Sequence, residues 1–405
     1  MKKGFYIFFC LVSMLWSDVL SFGEFESVRK KLSEVDLMQH LNGEIRAGYI
    51  NFDAKNEIDS KAFALGGHLH IKTFALNGLQ AGAAFYTVQD FGLNEKNKNG
   101  DFFDSNKKSF AMLGEAYIQY TLKNTFLKVG RQIIDTPHAD SDDIRMVPNL
   151  FEGALLKNSS FENFDIFMIY IDKMAGWENG TDAKRFVKIS DVLGVEKGNT
   201  AISILGAEYS GLYYLPMQIW FYNIDNVANI VYMEATYNKM IAYDTDISIS
   251  MQLDRALSTG ERLAGEIDTK TVGAAAEISF ESIGLRLGIA YNREFGSSSS
   301  MFSFGGGPFF TSMEDQTIDA VADENAEAYT FGGEYEVYDN ISVGFYRGEF
   351  KAGDNSVYHT AETDAYIVAN LTENIEIESA FAAVDDKTQS DTDYNQFRML
   401  VKYRF

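Results

Sequence analysis

The chain has 405 residues and a formal charge of −23, and that acidic balance excludes a partner recognised through its phosphates, so no nucleic acid is expected. Aromatic residues at 14%, with 22 Tyr and 32 Phe, exclude a disordered chain. Four prolines and the lack of a Pro/Gly/Ser-rich linker favour one large domain over two or three small ones.

In chain order, the first element is an N-terminal export signal. Lys2 and Lys3 precede a short apolar run from Phe5 to Trp16. That run is shorter than the roughly 20 residues that span a bilayer as a helix. Val19 and Ser21 are small enough for the −3 and −1 cleavage positions, so residues 1–21 read as a signal peptide. The alternative, a buried N-terminal helix, is disfavoured by the charged flank. Cys10 is the only cysteine and lies inside this segment, so the mature chain is expected to form no disulfide. Ile7 to Phe9 lack the small residues of a lipoprotein site. Residues 22–40 then read as a short periplasmic segment and 41–405 as a β-barrel.

No later run is apolar enough for a transmembrane helix. Period-two alternation recurs instead. Ile247, Ile249, Met251 and Leu253 alternate with Asp246, Ser248, Ser250, Gln252 and Asp254. Leu285, Leu287, Ile289 and Tyr291 alternate with Gly284, Arg286, Gly288 and Asn292. Strands are expected near 42–52, 62–72, 78–88, 110–120, 124–134, 151–158, 161–172, 201–210 and 212–222. The series continues at 227–237, 241–253, 270–280, 283–292, 327–337, 340–350, 356–371, 373–385 and 393–405. The fold class is therefore all-β, a transmembrane antiparallel barrel of about 18 strands.

The connections support this. Short turns are expected at 76–78, 122–124, 158–160, 209–211, 238–240, 281–283, 338–340 and 372–374, rich in Asn, Asp, Gly and Ser. The alternate connections, 89–109, 135–150, 173–200, 254–269 and 293–326, are long, and two near 223–226 and 351–355 are short. A soluble sandwich also alternates, but it does not sort its loops by length onto two rims. Tyr and Phe near strand ends suit interfacial girdles. The last strand, "DYNQFRMLVKYRF", carries Phe397, Met399, Val401, Tyr403 and Phe405 on one face, for lipid. Arg398, Lys402 and Arg404 lie on the other, for the lumen, with Leu400 among them.

Several stretches resemble the OprD-like family of outer-membrane porins. The carrying residues are Gly130-Arg131-Gln132, Thr136-Pro137, Asp142-Asp143-Ile144-Arg145, Pro148 and Phe151-Glu152-Gly153. The segments 43–53 and 307–337 and the final strand also match. The resemblance implies an 18-stranded barrel in the outer membrane of a Gram-negative bacterium, with a third loop folded inward. It implies passive diffusion of small hydrophilic solutes, among them amino acids and small carboxylates. It also implies that the terminal Phe405 is presented to the barrel-assembly machinery. Whether three barrels associate as a homotrimer is left open by the sequence.

The third loop carries Asp140, Asp142, Asp143 and Arg145, both signs within six residues. Fixed charges at a narrow, low-dielectric point set ion selectivity. The bland reading is a solvated surface loop; the resemblance favours a pore constriction. Polar parity assigns Arg46, Arg398, Lys402 and Arg404 to a lumenal basic strip, because the first and last strands adjoin when a barrel closes. The same parity makes Glu334, Glu376 and Glu378 lumenal, in a set of ten acids against six bases. That excess predicts modest cation selectivity. Arg131 shares the parity of Leu127 and Val129 and would face lipid, unless Gly130 hosts a bulge.

Other readings fit less well. "HADSD" at 138–142 holds His, Asp and Ser, but neighbours on one loop rarely converge as a catalytic triad. Acids at 140–143 and 314–327 are of a type that holds Ca²⁺, although solvated acidic loops explain them more simply; no other cofactor is expected. "FGGGP", 304–308, lacks the helix and basic residue of a phosphate cradle and reads as a turn or flexible loop. A gated, energy-coupled transporter would need a plug domain, and only about twenty residues lie between the expected cleavage site and the first strand. A barrel enzyme or an adhesin is the remaining alternative.

Overall fold

The structure, a computed structural model, describes residues 40–56, 58–95, 97–195, 200–388 and 392–405. The expected signal, 1–21, and nearly all of the 22–40 segment lie outside the described residues. The first half of the barrel comprises β1 (Leu41–Ala54), β2 (Ser60–Lys72), β3 (Leu79–Gln89), β4 (Phe110–Leu122), β5 (Thr125–Gln132), β6 (Leu150–Phe161), β7 (Phe164–Ala175), β9 (Ile202–Tyr209) and β10 (Met217–Ile224). A two-residue strand β8 (Val187–Lys188) and a one-turn helix α1 (Ile189–Val192) sit in the β7–β9 connection. The second half comprises β11 (Ala228–Ala242), β12 (Thr245–Ser258), β13 (Asp268–Phe280), β14 (Leu285–Gly296), β15 (Glu327–Tyr338), β16 (Ile341–Lys351), β17 (His359–Asn370), β18 (Ile375–Asp386) and β19 (Tyr394–Arg404).

Neighbours in sequence pair antiparallel, β7 pairs directly with β9, and β1 pairs with β19 from Glu44↔Arg404 to Ala54↔Tyr394. Eighteen strands therefore close, with β8 as an addition to the edge of β7. Closure matters because an open sheet edge in lipid would leave backbone groups unpaired. No helix among the described residues is long and apolar enough to cross a membrane.

The burial pattern is that of a barrel with a wet, charged interior. On β19, Gln396, Arg398, Leu400 and Lys402 are buried, whereas Tyr403, and Phe405 just past the strand's end, are exposed. The outward rows are apolar and bare, as with Met251 (66% exposed) and Ile289 (64%). Exposed aromatics mark the short-turn rim: Phe161, Tyr213, Tyr243, Tyr338 and Phe405.

All 18 expected strands are present, but two turns are displaced. The expected turn at 158–160 lies within β6, and the chain reverses at Glu162-Asn163, where Asn163 takes φ 63°. The expected turn at 238–240 lies within β11, and the reversal is at Tyr243-Asp244. Asn and Ser there spend their polar groups across the sheet. Asn158 donates to Thr125 at 2.7 Å, and Ser248 donates to Asn238 at 2.7 Å. Cross-strand pairing thus overrides local turn propensity. The strand expected from 212 begins only at Met217, because Pro216 has no amide to give the ladder.

Phe405 completes the seam. Its amide donates to the Gly43 carbonyl and its carbonyl accepts from the Gly43 amide, both at 3.0 Å, and its ring stacks on Tyr403 at 6.2 Å. Deleting Phe405 removes the last rung between first and last strands. The folded fraction, read as heat-modifiable migration on a gel, is expected to fall; unchanged yield and migration would contradict this.

Candidate pore constriction

Three long connections turn into the barrel because they carry apolar side chains that the inner wall can cover. The β3–β4 loop contributes Phe102 and Phe103, which pack with Met146 and Val147 of the β5–β6 loop against Ile50, Tyr86 and Leu400. Ile134 and Ala139 of the β5–β6 loop pack with Phe304 of the β14–β15 loop against Tyr222, Tyr232 and Ile230. Phe309, Ile318 and Val321 of the β14–β15 loop pack against Ala328 and Phe350. The inward fold of the third loop, 133–149, matches expectation. The inward fold of 90–109 and 297–326 went unforeseen.

Polar tethers then fix the third loop to opposite walls. Arg46 on β1 holds Asp143 with two parallel bonds, Nη1 to Oδ1 at 2.7 Å and Nη2 to Oδ2 at 2.9 Å. It also donates from Nε to Glu44 at 2.8 Å, and from Nη1 to the Arg145 carbonyl. At the other wall, His138 Nε2 meets Asp254 Oδ2 of β12 at 2.7 Å, both buried.

The β14–β15 loop is tied to the third loop and to the wall. The Asp140 amide donates to the Phe304 carbonyl at 3.1 Å, and the Phe304 amide to the His138 carbonyl at 2.9 Å. Gly305 follows at φ +102°, where an added Cβ would lie 2.1 Å from the Asp140 carbonyl oxygen, so only glycine allows this approach. "FGGGP" is thus a fixed inter-loop joint. Further on, the Glu314 amide donates to Asp364, and the Asp315 and Gln316 amides to Glu362, at 2.8–3.1 Å. Glu314 in turn pairs with Arg398.

These tethers leave a cavity of about 790 Å³ between the two loops and the wall. Asp142, Arg145, Glu178, Glu314, Asp315 and Arg398 contribute charge to its lining. Trp177 holds the third loop from the side: its Nε1 donates to the Asp142 carbonyl at 3.1 Å, and the Arg145 guanidinium lies over its ring at 4.5 Å. Burial pushes the Asp142 carboxyl up to about 6. Burial, with Asp142 nearby, pushes Glu178 up to about 7. Burial, with Glu314 nearby, pushes Asp315 up to about 6.

The expected site residues divide accordingly. Asp142, Arg145, Arg398 and Glu378 share the cavity. Asp143 serves as a clamp on Arg46. Asp140 faces a second space of about 460 Å³, beside Trp220, Tyr232 and Glu234. Lys402 pairs with Glu376 and Glu378 at 3.4 and 2.6 Å. Arg404 pairs with Glu376 at 2.9 Å and Glu44 at 3.2 Å. Glu334 accepts from the Tyr366 hydroxyl at 2.7 Å.

Three expectations need correction or completion. Acids at 314–327 read most simply as a solvated loop, but Glu314 and Asp315 line the same cavity as Asp142, because the wall carboxylates Glu362 and Asp364 bind the amides of that segment. Register runs unbroken through Gly130, so Arg131 stays outward and bonds Glu152 at 2.9 Å. Trp177 and Glu178 were missed; their signal was a lone Trp within the polar stretch "AGWENG". His138 is taken by Asp254, and no hydrogen bond among the described residues joins it to Ser141. No group of three or more metal-ligating side chains converges among the described residues.

Comparison with known proteins agrees with this architecture. A model described as "outer membrane porin, OprD family" matches residues 91–319. Among solved structures, OccK9 (OpdG) of Pseudomonas aeruginosa superposes with a TM-score of 0.78 at 14% identity, covering 90% of this chain and 98% of that one. OpdK of Pseudomonas aeruginosa, solved with vanillate, gives 0.77 at 15% identity, with the same coverage of 90% and 98%. OccAB2 of Acinetobacter baumannii gives 0.77 at 16%, covering 92% and 99%. No curated protein matches the chain.

Proposed function

The chain belongs to the OprD family of outer-membrane porins, channels rather than enzymes, and from that premise we propose that this one passes small solutes through an eyelet of net negative charge that prefers cations. The channel lies in a Gram-negative outer membrane and conducts small solutes. The finer reading is that Asp142 and Arg145, with Asp140 and Asp143 behind them, form the constriction. Arg46, Arg398, Lys402 and Arg404 would then guide carboxylates or amino acids along one wall.

One observation carries the cation preference: the basic strip is matched by carboxylates. Arg46 is held by Glu44 and Asp143, Arg398 by Glu314, Lys402 by Glu376 and Glu378, and Arg404 by Glu44 and Glu376. Four cations therefore meet five carboxylates. Beyond these, Asp142, Glu178 and Asp315 face the same cavity as one further guanidinium among the described residues, Arg145. Opposed signs across one cavity also suit a solute that carries both, such as an amino acid. Vanillate, bound to the similar OpdK, is a carboxylate of the size that the strip would steer.

Reversal potential under a KCl gradient tests this. Potassium should permeate better than chloride at about pH 8, where Asp142, Asp315 and Glu178 are ionised. Between about pH 7 and pH 5 these three take up protons, and the preference should shrink towards parity. A clear chloride preference at the higher pH would overturn the reading. Recognition of Phe405 by the assembly machinery, export under residues 1–21 and association of three barrels belong to the same proposal. Cross-linking in membranes reports the last of these.

A further inference from the structure

β2 closes on "GGHLHIK", which sets two histidines two residues apart. Leu69 (40% exposed) and Ile71 (53%) continue the lipid-facing row, so His68 and His70 share the lumenal face. Same-face neighbours on a strand stand about 7 Å apart. Two imidazoles at that spacing can swing onto one ion, each through a bond of about 2.0–2.1 Å. The pair lies on the periplasmic side of the clamp between Arg46 and Asp143. A Cβ on Gly67 would lie 1.8 Å from the Glu44 carbonyl oxygen, so His68 is level with Glu44, below Arg46.

The surroundings leave these imidazoles available as ligands. His70 Nε2 meets the Tyr117 hydroxyl at 3.1 Å. The hydroxyl reaches it across Gly82, where a Cβ would lie 2.4 Å from that oxygen. When Nε2 donates to the oxygen, the ring is oriented and the lone pair is left on Nδ1. His68 lies opposite Tyr86, with ring centres 5.0 Å apart, and no hydrogen bond among the described residues engages its ring nitrogens. The nearest carboxylate along the rung, Glu115, is taken: it accepts from the Tyr86 hydroxyl at 3.3 Å and pairs with Lys128 at 3.7 Å. Lys72 and Lys128 act electrostatically on His70. No third ligating side chain joins the two histidines among the described residues. A hard cation such as Ca²⁺, held by several oxygens, finds little here. Neutral imidazole suits Cu²⁺, Ni²⁺ and Zn²⁺ instead.

We propose that His68 and His70 are a station for a borderline divalent transition-metal ion on the permeation path, just past the constriction. The two imidazoles fill two coordination positions and water fills the others. Conduction needs binding strong enough to enter and weak enough to leave, and a two-ligand site meets both conditions. The proposal rests on the barrel being a channel, not on its preference for cations.

The test uses the full chain, untagged and folded in neutral detergent, with Cu²⁺ and Ni²⁺ as probes. The variants are His68→Gln combined with His70→Gln, and His70→Gln alone, whose amide can still meet the Tyr117 hydroxyl. Heat-modifiable migration confirms that each has folded. His359→Gln is the control, because His359 lies at the opposite rim, 3.8 Å from Glu349. Parent and control with Cu²⁺ should give an electron paramagnetic resonance spectrum coupled to two imidazole nitrogens. Both variants should lose that signature and bind about tenfold more weakly. Low micromolar Ni²⁺ should interrupt the single-channel current of the parent, a chelator should restore it, and the double variant should be unaffected. An unchanged copper spectrum and affinity in the double variant overturn the proposal, as does an equal loss in the control. A parent with the two-nitrogen spectrum whose current ignores Ni²⁺ overturns the placement on the path. The spectrum needs no conduction, so failure of the metal station and failure of the channel reading are told apart.

Discussion

Excising residues 307–317 from the β14–β15 loop and closing the gap with two glycines should raise single-channel conductance severalfold. This segment carries Phe310, Glu314 and Asp315 into the cavity beside Asp142, so it occupies cross-section that the barrel would otherwise leave open. Its amides satisfy Glu362 and Asp364, both buried. The excision should therefore be combined with Glu362→Gln and Asp364→Asn, so that no buried carboxylate is left without a donor. The joint at Phe304–Gly305 and the packing of Ile318 and Val321 remain, so the third loop keeps its neighbour. Heat-modifiable migration confirms that the barrel has folded. Conductance equal to that of the parent would place the narrowest point elsewhere.

Replacing Arg46 with Gln should be the most damaging single change in the lumen. Arg46 is 2% exposed and Glu44 6%. The substitution breaks a bidentate bond to Asp143 and, among the described residues, leaves Glu44 with only Arg404, at 3.2 Å. Removing one partner of a buried ion pair costs about 3–5 kcal/mol. The loss also frees one wall attachment of the third loop, while His138–Asp254 holds the other. The expected result is a lower unfolding midpoint in denaturant, with noisier open-channel current of higher mean. Asp143→Asn keeps a hydrogen-bond acceptor for Arg46 and should reproduce the current noise with a smaller loss of stability. A quiet channel of parental stability in Arg46→Gln would contradict the tether.

The barrel itself was legible from period-two alternation, because lipid outside and water inside write opposite chemistries onto alternate residues. Strand ends were less legible. Asn158, or Asn238 and Lys239, look like turn residues locally, and only their cross-strand partners keep them in β6 and β11. The basic strip was legible because closure sets β1 beside β19; Arg46 lies directly opposite Lys402 and Glu44 opposite Arg404. Its neutralisation by Glu314 was not, since nothing local shows that the β14–β15 loop enters the lumen. A clue lay in Phe309, Ile318 and Val321, which are apolar residues without alternation in an acid-rich loop. Such residues need a wall to cover them, and in a barrel the inner wall is one that can.

Single-channel recording of the purified full chain in a planar bilayer, in symmetric KCl and with no other protein, tests the central claim most directly. A diffusion channel narrowed by two inward loops should give steady, ohmic open steps, smaller than those of the 307–317 excision. Silence until a partner or an energy source is supplied would contradict it, as would steps no smaller than those of the excised barrel.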